Sequence, residues 1–249
     1  MTASRRGLGL VELLVGLALL GLVGALVARI AAVTTRSAVR VRERSARSAT
    51  LRSAALAISR ELQGVAAGEV RVAGDTLRYR ARRGEGVACV IGGAGVSMGR
   101  AGFRGWRQPQ AGRDSLAVLD RDTGTWHVGA VAAVSAGTCP DGAAAIVITG
   151  GTTWSGPVPA LVRVLEWVEL RGYESGGSWW LGARSLRPTD VIQPLAGPIA
   201  PRGAAFARVP LGSADTVLEV RVTVPPSPGG SARTDSTVLR VPLAPGSTP

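Results

Sequence analysis

The chain carries a single histidine, His127, placed beside Trp126 just beyond a turn. A base there would need a nucleophile, and no Gly-x-Ser-x-Gly elbow or comparable setting occurs. His127 therefore reads as a surface or half-buried strand residue. Gly92-Gly93-Ala94-Gly95 is glycine-rich, but no lysine exists to complete a phosphate loop and no helical pattern follows, so it reads as a turn. Asp120 and Asp122 lack the further spaced acids and closing glutamate of a calcium loop. Cys89 and Cys139 have no CxxC or CxxH spacing, which argues against zinc. They are open to two readings, a disulfide closing a loop of about 50 residues and worth about 4 kcal/mol, or two buried thiols. No catalytic constellation, metal site or cofactor site is expected.

The remaining chemical oddity is Glu12, the sole charge in an apolar run from Leu8 to Ala28. A secretory signal peptide would follow that run with a small-x-small cleavage site, and none stands out near Ala25 to Ala32. A plain membrane anchor fits the length, since about 20 residues span the hydrocarbon. It leaves unexplained a carboxylate that costs about 2.5–3.5 kcal/mol to insert, and intramembrane acids mark function by default. Ahead of the run stands a short polar leader ending in Arg5-Arg6-Gly7.

Arg5-Arg6-Gly7 followed by Leu8-Gly9-Leu10-Val11-Glu12-Leu13-Leu14 resembles the signal of the type IV prepilin family. The resemblance implies cleavage after Gly7 by a prepilin peptidase of the inner membrane and N-methylation of Leu8. It also implies that Glu12, five residues into the mature chain, pairs with the terminal amine of a neighbouring subunit. Leu8 stands where the family most often has Phe, and Gly9 where Thr or Ser is usual. A buried charge pair of that kind offsets desolvation only with good geometry.

No proline interrupts Leu8 to Gln63, and glycines fall only in its apolar section. Ala38, Val41, Ser45, Ser48, Leu51, Ala55, Ile58 and Leu62 form one weakly apolar seam at helical spacing. Arg36, Arg40, Arg44, Arg47 and Arg52 fill much of the remainder, and Gly64 is a stop signal. These arginines outnumber the two of the leader, opposite to the positive-inside expectation. A helix packed on its own head after export tolerates that.

Beyond Val65 short alternating segments take over. Glu69 to Ala73 with Thr76 to Arg82 reads as a hairpin about Gly74-Asp75, and Leu116 to Leu119 with Thr125 to Val131 as another. Ala144 to Thr149, Leu161 to Leu170, Ser178 to Ser185, Thr216 to Val224 and Thr237 to Pro242 are further strands. The expected fold is α+β, a long N-terminal helix on an antiparallel β-sheet head. Its divisions are a leader over 1–7, a membrane-spanning half-helix over 8–29 and an amphipathic half over 30–64. A β-rich head over 65–243 and a frayed tail over 244–249 follow. Leu170-Arg171-Gly172-Tyr173, Trp179-Trp180-Leu181, Arg184 and Val191-Ile192-Gln193-Pro194-Leu195 add a diffuse resemblance to the large minor pilins and J-type minor pseudopilins. There, a hairpin carrying Leu and Arg precedes a connection and two closing strands.

The formal charge of +12 raises the question of nucleic acid. All 29 basic residues are arginine and asparagine is also missing, as codon bias in a GC-rich genome produces. The arginines are spread along the chain without aromatic interleaving, so no specific nucleic acid is expected. The expected partners are prepilin peptidase, other pilin or pseudopilin subunits and inner-membrane lipid. The expected location is a single-pass inner-membrane protein with a periplasmic head, later part of a fibre. A ligand-binding head, as in a tip adhesin or DNA-uptake subunit, is the alternative.

Overall fold

The computed structural model describes residues 9–187, 189–211, 215–226 and 234–244. One α-helix, α1, runs unbroken over Leu10–Leu62, 53 residues or roughly 80 Å at 1.5 Å per residue. Its Ala, Leu, Arg and Glu content favours helix, and no proline removes a backbone donor. It ends where Gly64 takes a φ of 75°, a left-handed conformation that glycine enters without penalty. The first half is long and apolar enough to cross a membrane, with exposed leucines and valines from Leu10 to Val33. Burial within the helix is confined to Ala54, Ile58 and Leu62, with Leu51 packed beside them. Of the expected seam, Leu51, Ile58 and Leu62 pack on the head core, and Ile58 and Leu62 each contribute about 1.5–3 kcal/mol on burial.

A 3-10 turn, Ala67–Glu69, leads into thirteen strands among the described residues. They are β1 Val70–Ala73, β2 Thr76–Gly92, β3 Gly95–Gly99, β4 Arg104–Gly105, β5 Asp114–Leu119, β6 Trp126–Thr138 and β7 Ala144–Gly150. Then come β8 Ala160–Ser175, β9 Ser178–Ser185, β10 Gln193–Ile199, β11 Ala204–Leu211, β12 Asp215–Val224 and β13 Asp235–Pro242. Every ladder between them is antiparallel. The α+β expectation, one long helix packed on a large antiparallel sheet, holds.

The long strands β2 and β8 organise the head. Thr76 to Arg82 pair with Leu165 to Arg171 in an open sheet of order β1-β2-β8-β9-β10. One face of that sheet meets the end of α1 and the three-stranded sheet β11-β12-β13. Leu77, Tyr79, Val168, Leu170 and Leu181 pack there with Ile58, Leu62, Phe206, Leu218 and Val220. Farther along the same two strands the sheet closes on itself, because β2 pairs with both β3 and β8 and the ring returns through β7, β6 and β5. A six-stranded barrel results, filled by a second core of Val96, Met98, Leu116, Val118, Ile146, Ile148, Val162 and Val164. Small barrels are packed by side chains in this way. Trp154 joins that core against two glycines. A Cβ on Gly150 would lie 2.1 Å from the Trp154 ring, and one on Gly129 would lie 2.8 Å from it.

Four strands escape the sequence pattern. β3 and β4 are short and glycine-rich, while β10 and β11 carry Pro194, Pro198 and Pro210 and sit at sheet edges, where a missing amide is tolerated. The closing part of the chain accordingly holds β10 to β13 rather than two strands. Ala244, expected in a frayed tail, is paired: its N–H donates to Val65 O at 3.0 Å and its carbonyl accepts from Ala67 N at 3.0 Å. Residues 245–249, and the loop expected over Pro225 to Gly230 from 227 onward, lie outside the described residues.

Candidate functional site

Three regions hold the chemistry. The first is the start of α1. Gly7 and Leu8, the expected cleavage and methylation positions, lie outside the described residues. Glu12 stands in the first turn of the helix, exposed, and its Oε2 accepts the Gly9 N–H at 2.8 Å. An acid there complements the positive end of the helix dipole and satisfies an amide that has no intrahelical acceptor.

The second region lies where the two cores meet, on the face of β8 turned toward α1. Glu166 follows Val164 of the barrel core and precedes Val168 of the helix-packed core, and is 2% exposed. Arg83 Nε donates to its Oε2 at 2.7 Å, Arg113 Nε to Oε1, and Arg107 Nη2 lies 3.4 Å from Oε2. Arg83 is the extra residue where the β2–β8 register shifts between Arg82 and Gly84, a bulge that re-aims a side chain. It also reaches Glu61 of α1 at 3.5 Å, and Glu61 accepts the Tyr79 hydroxyl at 2.9 Å. Arg107 grips the buried Asp114 with two bonds of 2.6 and 2.7 Å, and Arg113 reaches Asp190 at 3.3 Å. Burial pushes the Glu166 carboxyl up, but the Arg113 and Arg83 guanidiniums outweigh it and hold it down at about 2. Burial, helped by the Glu61 carboxylate, pushes the Tyr79 phenol well above its usual value. An open groove of about 590 Å³ with Trp106 and Val191 on its walls lies over this network, yet its arginines already face carboxylates.

The third region is the opposite face of the same strands. Glu169 there is the cross-strand neighbour of Arg78 and Arg184 and binds both, at 3.0 Å and at 2.9–3.0 Å. Beside it Arg71 and Arg80 lie over the Trp167 ring, 5.3 and 4.9 Å from its centre, and Arg163 lies over Trp126 at 4.3 Å. Arginine and aromatic residues that are far apart in sequence are therefore interleaved in space. Only the pairing of β2 with β8 and of β5 with its neighbours brings them together, so no local sequence signal could have revealed it.

The other chemically marked residues fall elsewhere. Cys89 and Cys139 form a disulfide with Cα atoms 5.8 Å apart, tying β2 to the residue after β6; of the two readings, pairing is the one observed. His127 Nε2 is 3.7 Å from Asp120 Oδ2. Asp120 Oδ1 accepts the Asp122 N–H at 2.9 Å, and that backbone bond, ahead of its other contacts, lowers its pKa. The acid thus folds its own turn. Gly92 to Gly95 form the tip of the β2–β3 hairpin. Among the described residues no group of three His, Cys, Asp or Glu side chains could hold a metal. Comparison with known proteins finds no matching family model, no matching curated protein and no matching solved structure.

Proposed function

We propose that this chain is a structural subunit of the type IV prepilin class, a minor pilin or pseudopilin. In this reading it is cleaved after Gly7, methylated at Leu8, held by its apolar helix in the inner membrane and then built into a pilus or type II secretion pseudopilus, at the tip or in the priming complex. The observation that carries it is the spacing of Gly7 and Glu12 at the head of a membrane-length helix. Two features lend support. That helix continues without a break into turns packed on an antiparallel head, and the head carries a disulfide of the kind that persists in oxidising compartments. The prepilin peptidase, other subunits and membrane lipid are its partners.

Mass spectrometry of the protein made beside a prepilin peptidase tests the reading. The expected mature chain begins with methylated Leu8; a chain beginning at Met1, or well past Ala28, overturns it. Glu12→Ala should still be cleaved but should enter fibres poorly, because the neighbour's amine is then left without its partner. Fibre pull-down showing normal entry of E12A would remove the pairing role. A second reading, a head that binds an external ligand, is favoured by one observation, the Arg–Trp stacking on the outer sheet face.

A further inference from the structure

On that outer face, β2, β5, β6, β8 and the turn after α1 enclose a cavity of about 130 Å³. Its walls include Arg80, Arg82, Arg163 and Trp126, facing the backbone around Ala66 and Gly68. The volume is roughly four times a water's ~30 Å³ share of the liquid, enough for one tetrahedral oxyanion or a carboxylate. Arg82 is paired with Glu85 at 3.2 Å. Arg80 and Arg163 differ from it. Among the described residues neither has an ion-pair partner, and each lies against an indole ring instead. The Nε atoms of both are buried and have no hydrogen-bond acceptor. Burial also lowers the pKa of Arg80, with the Glu69 carboxylate opposing it and the Arg71 cation adding to it. Of the lining residues Glu69 alone is acidic, and its carboxylate accepts the Ala66 N–H at 3.3 Å.

A buried donor without an acceptor is unfavourable. Two guanidiniums that line one cavity without a carboxylate partner, each lying over an aromatic ring, suit the planar recognition of a carboxylate or phosphoryl group that guanidinium favours. We propose that this cavity is an oxyanion site, with Arg80 and Arg163 as its binding residues and Trp126 as the platform that positions Arg163. The site stands independently of whether the chain assembles into a fibre.

The test uses the full chain in a non-ionic detergent at fixed ionic strength. Isothermal titration and Trp fluorescence follow inorganic phosphate in one arm and acetate in the other. Saturable binding of at least one anion is expected. Arg80→Gln and Arg163→Gln should each weaken it about tenfold, the loss of one charge-assisted bond, while Arg100→Gln on the exposed surface leaves it unchanged. Preference for phosphate identifies a phosphoryl ligand, and preference for acetate identifies an acidic side chain of another protein. Should the glutamine variants fail to fold, R80K and R163K keep the charge but lose the flat fork, and they too should weaken binding. No saturable binding of either anion, equal weakening by R100Q, or unchanged affinity in both lysine variants overturns the site.

Discussion

The two faces of β8 hold arginine in opposite ways. Toward α1, Glu166 gathers Arg83, Arg107 and Arg113, while Glu61, Asp114 and Asp190 take up their remaining donors. On the outer face Glu169 does the same for Arg78 and Arg184, but farther along the same face Arg80 and Arg163 have aromatic rings where the others have carboxylates. The first arrangement is closed: each buried charge has its counter-charge, and the network joins helix, open sheet and barrel. The second is incomplete. Among the described residues the outer face thus has two guanidiniums that line one cavity without a counter-charge, and departures from self-consistency concentrate at functional sites.

The largest effect that would break this contrast is at Glu166. Glu166→Ala leaves three guanidiniums around a buried gap, and removing one partner of a buried ion pair costs about 3–5 kcal/mol. Urea unfolding of the full chain in detergent reads this as a lower midpoint. A loss below 1 kcal/mol would mean that the network is a solvated cluster and not the joint between the cores.

Acid should act on the same group. The Glu166 carboxyl is depressed to about 2 from an ordinary 4.5. A depressed pKa contributes stability that is present in full above the unfolded value and is lost as the pH falls toward the folded one. About 3 kcal/mol should therefore disappear between pH 4.5 and pH 2. Thermal midpoints across that window should fall in the native chain and fall less steeply in Glu166→Gln. Equal slopes would assign the acid sensitivity to other carboxylates.

Much of this frame is readable from the residues, and what is not has a physical cause. The helix shows itself by its unbroken pattern, and its end by Gly64, since one residue in a left-handed conformation suffices as a stop. The Ser178 to Ser185 strand appears with the observed bounds and the Gly74-Asp75 turn joins the expected strands, because a local turn sets their register, although β2 runs on to Gly92, past the expected end at Arg82. Closure of the barrel is not readable. It depends on β2 pairing with β8 some 80 residues away while also pairing with its hairpin partner β3, and no local period encodes that distant neighbour. For the same reason the arginines look scattered and without aromatic company, although Arg80 and Trp167 are direct cross-strand partners. Glu12 is the opposite case: its oddity is local, one charge in an apolar run, so the sequence alone exposes it.

The smallest predicted effect is the most discriminating. Arg163→Met replaces a half-buried guanidinium by a flexible apolar chain of similar length. It loses the stacking on Trp126, worth about 0.5–2 kcal/mol, but also removes the buried Nε that lacks an acceptor, which returns about 1–3 kcal/mol. The two nearly cancel, so unfolding in urea should place this variant within about 1 kcal/mol of the native chain, on either side. Arg83→Met, made in the closed network, exposes Glu166 and Glu61 to the loss of a shared partner and should cost several times more. If R163M were destabilised as much as R83M, the outer-face arginines would be structural members of the sheet like the inner ones, and the asymmetry between the faces would carry no functional meaning.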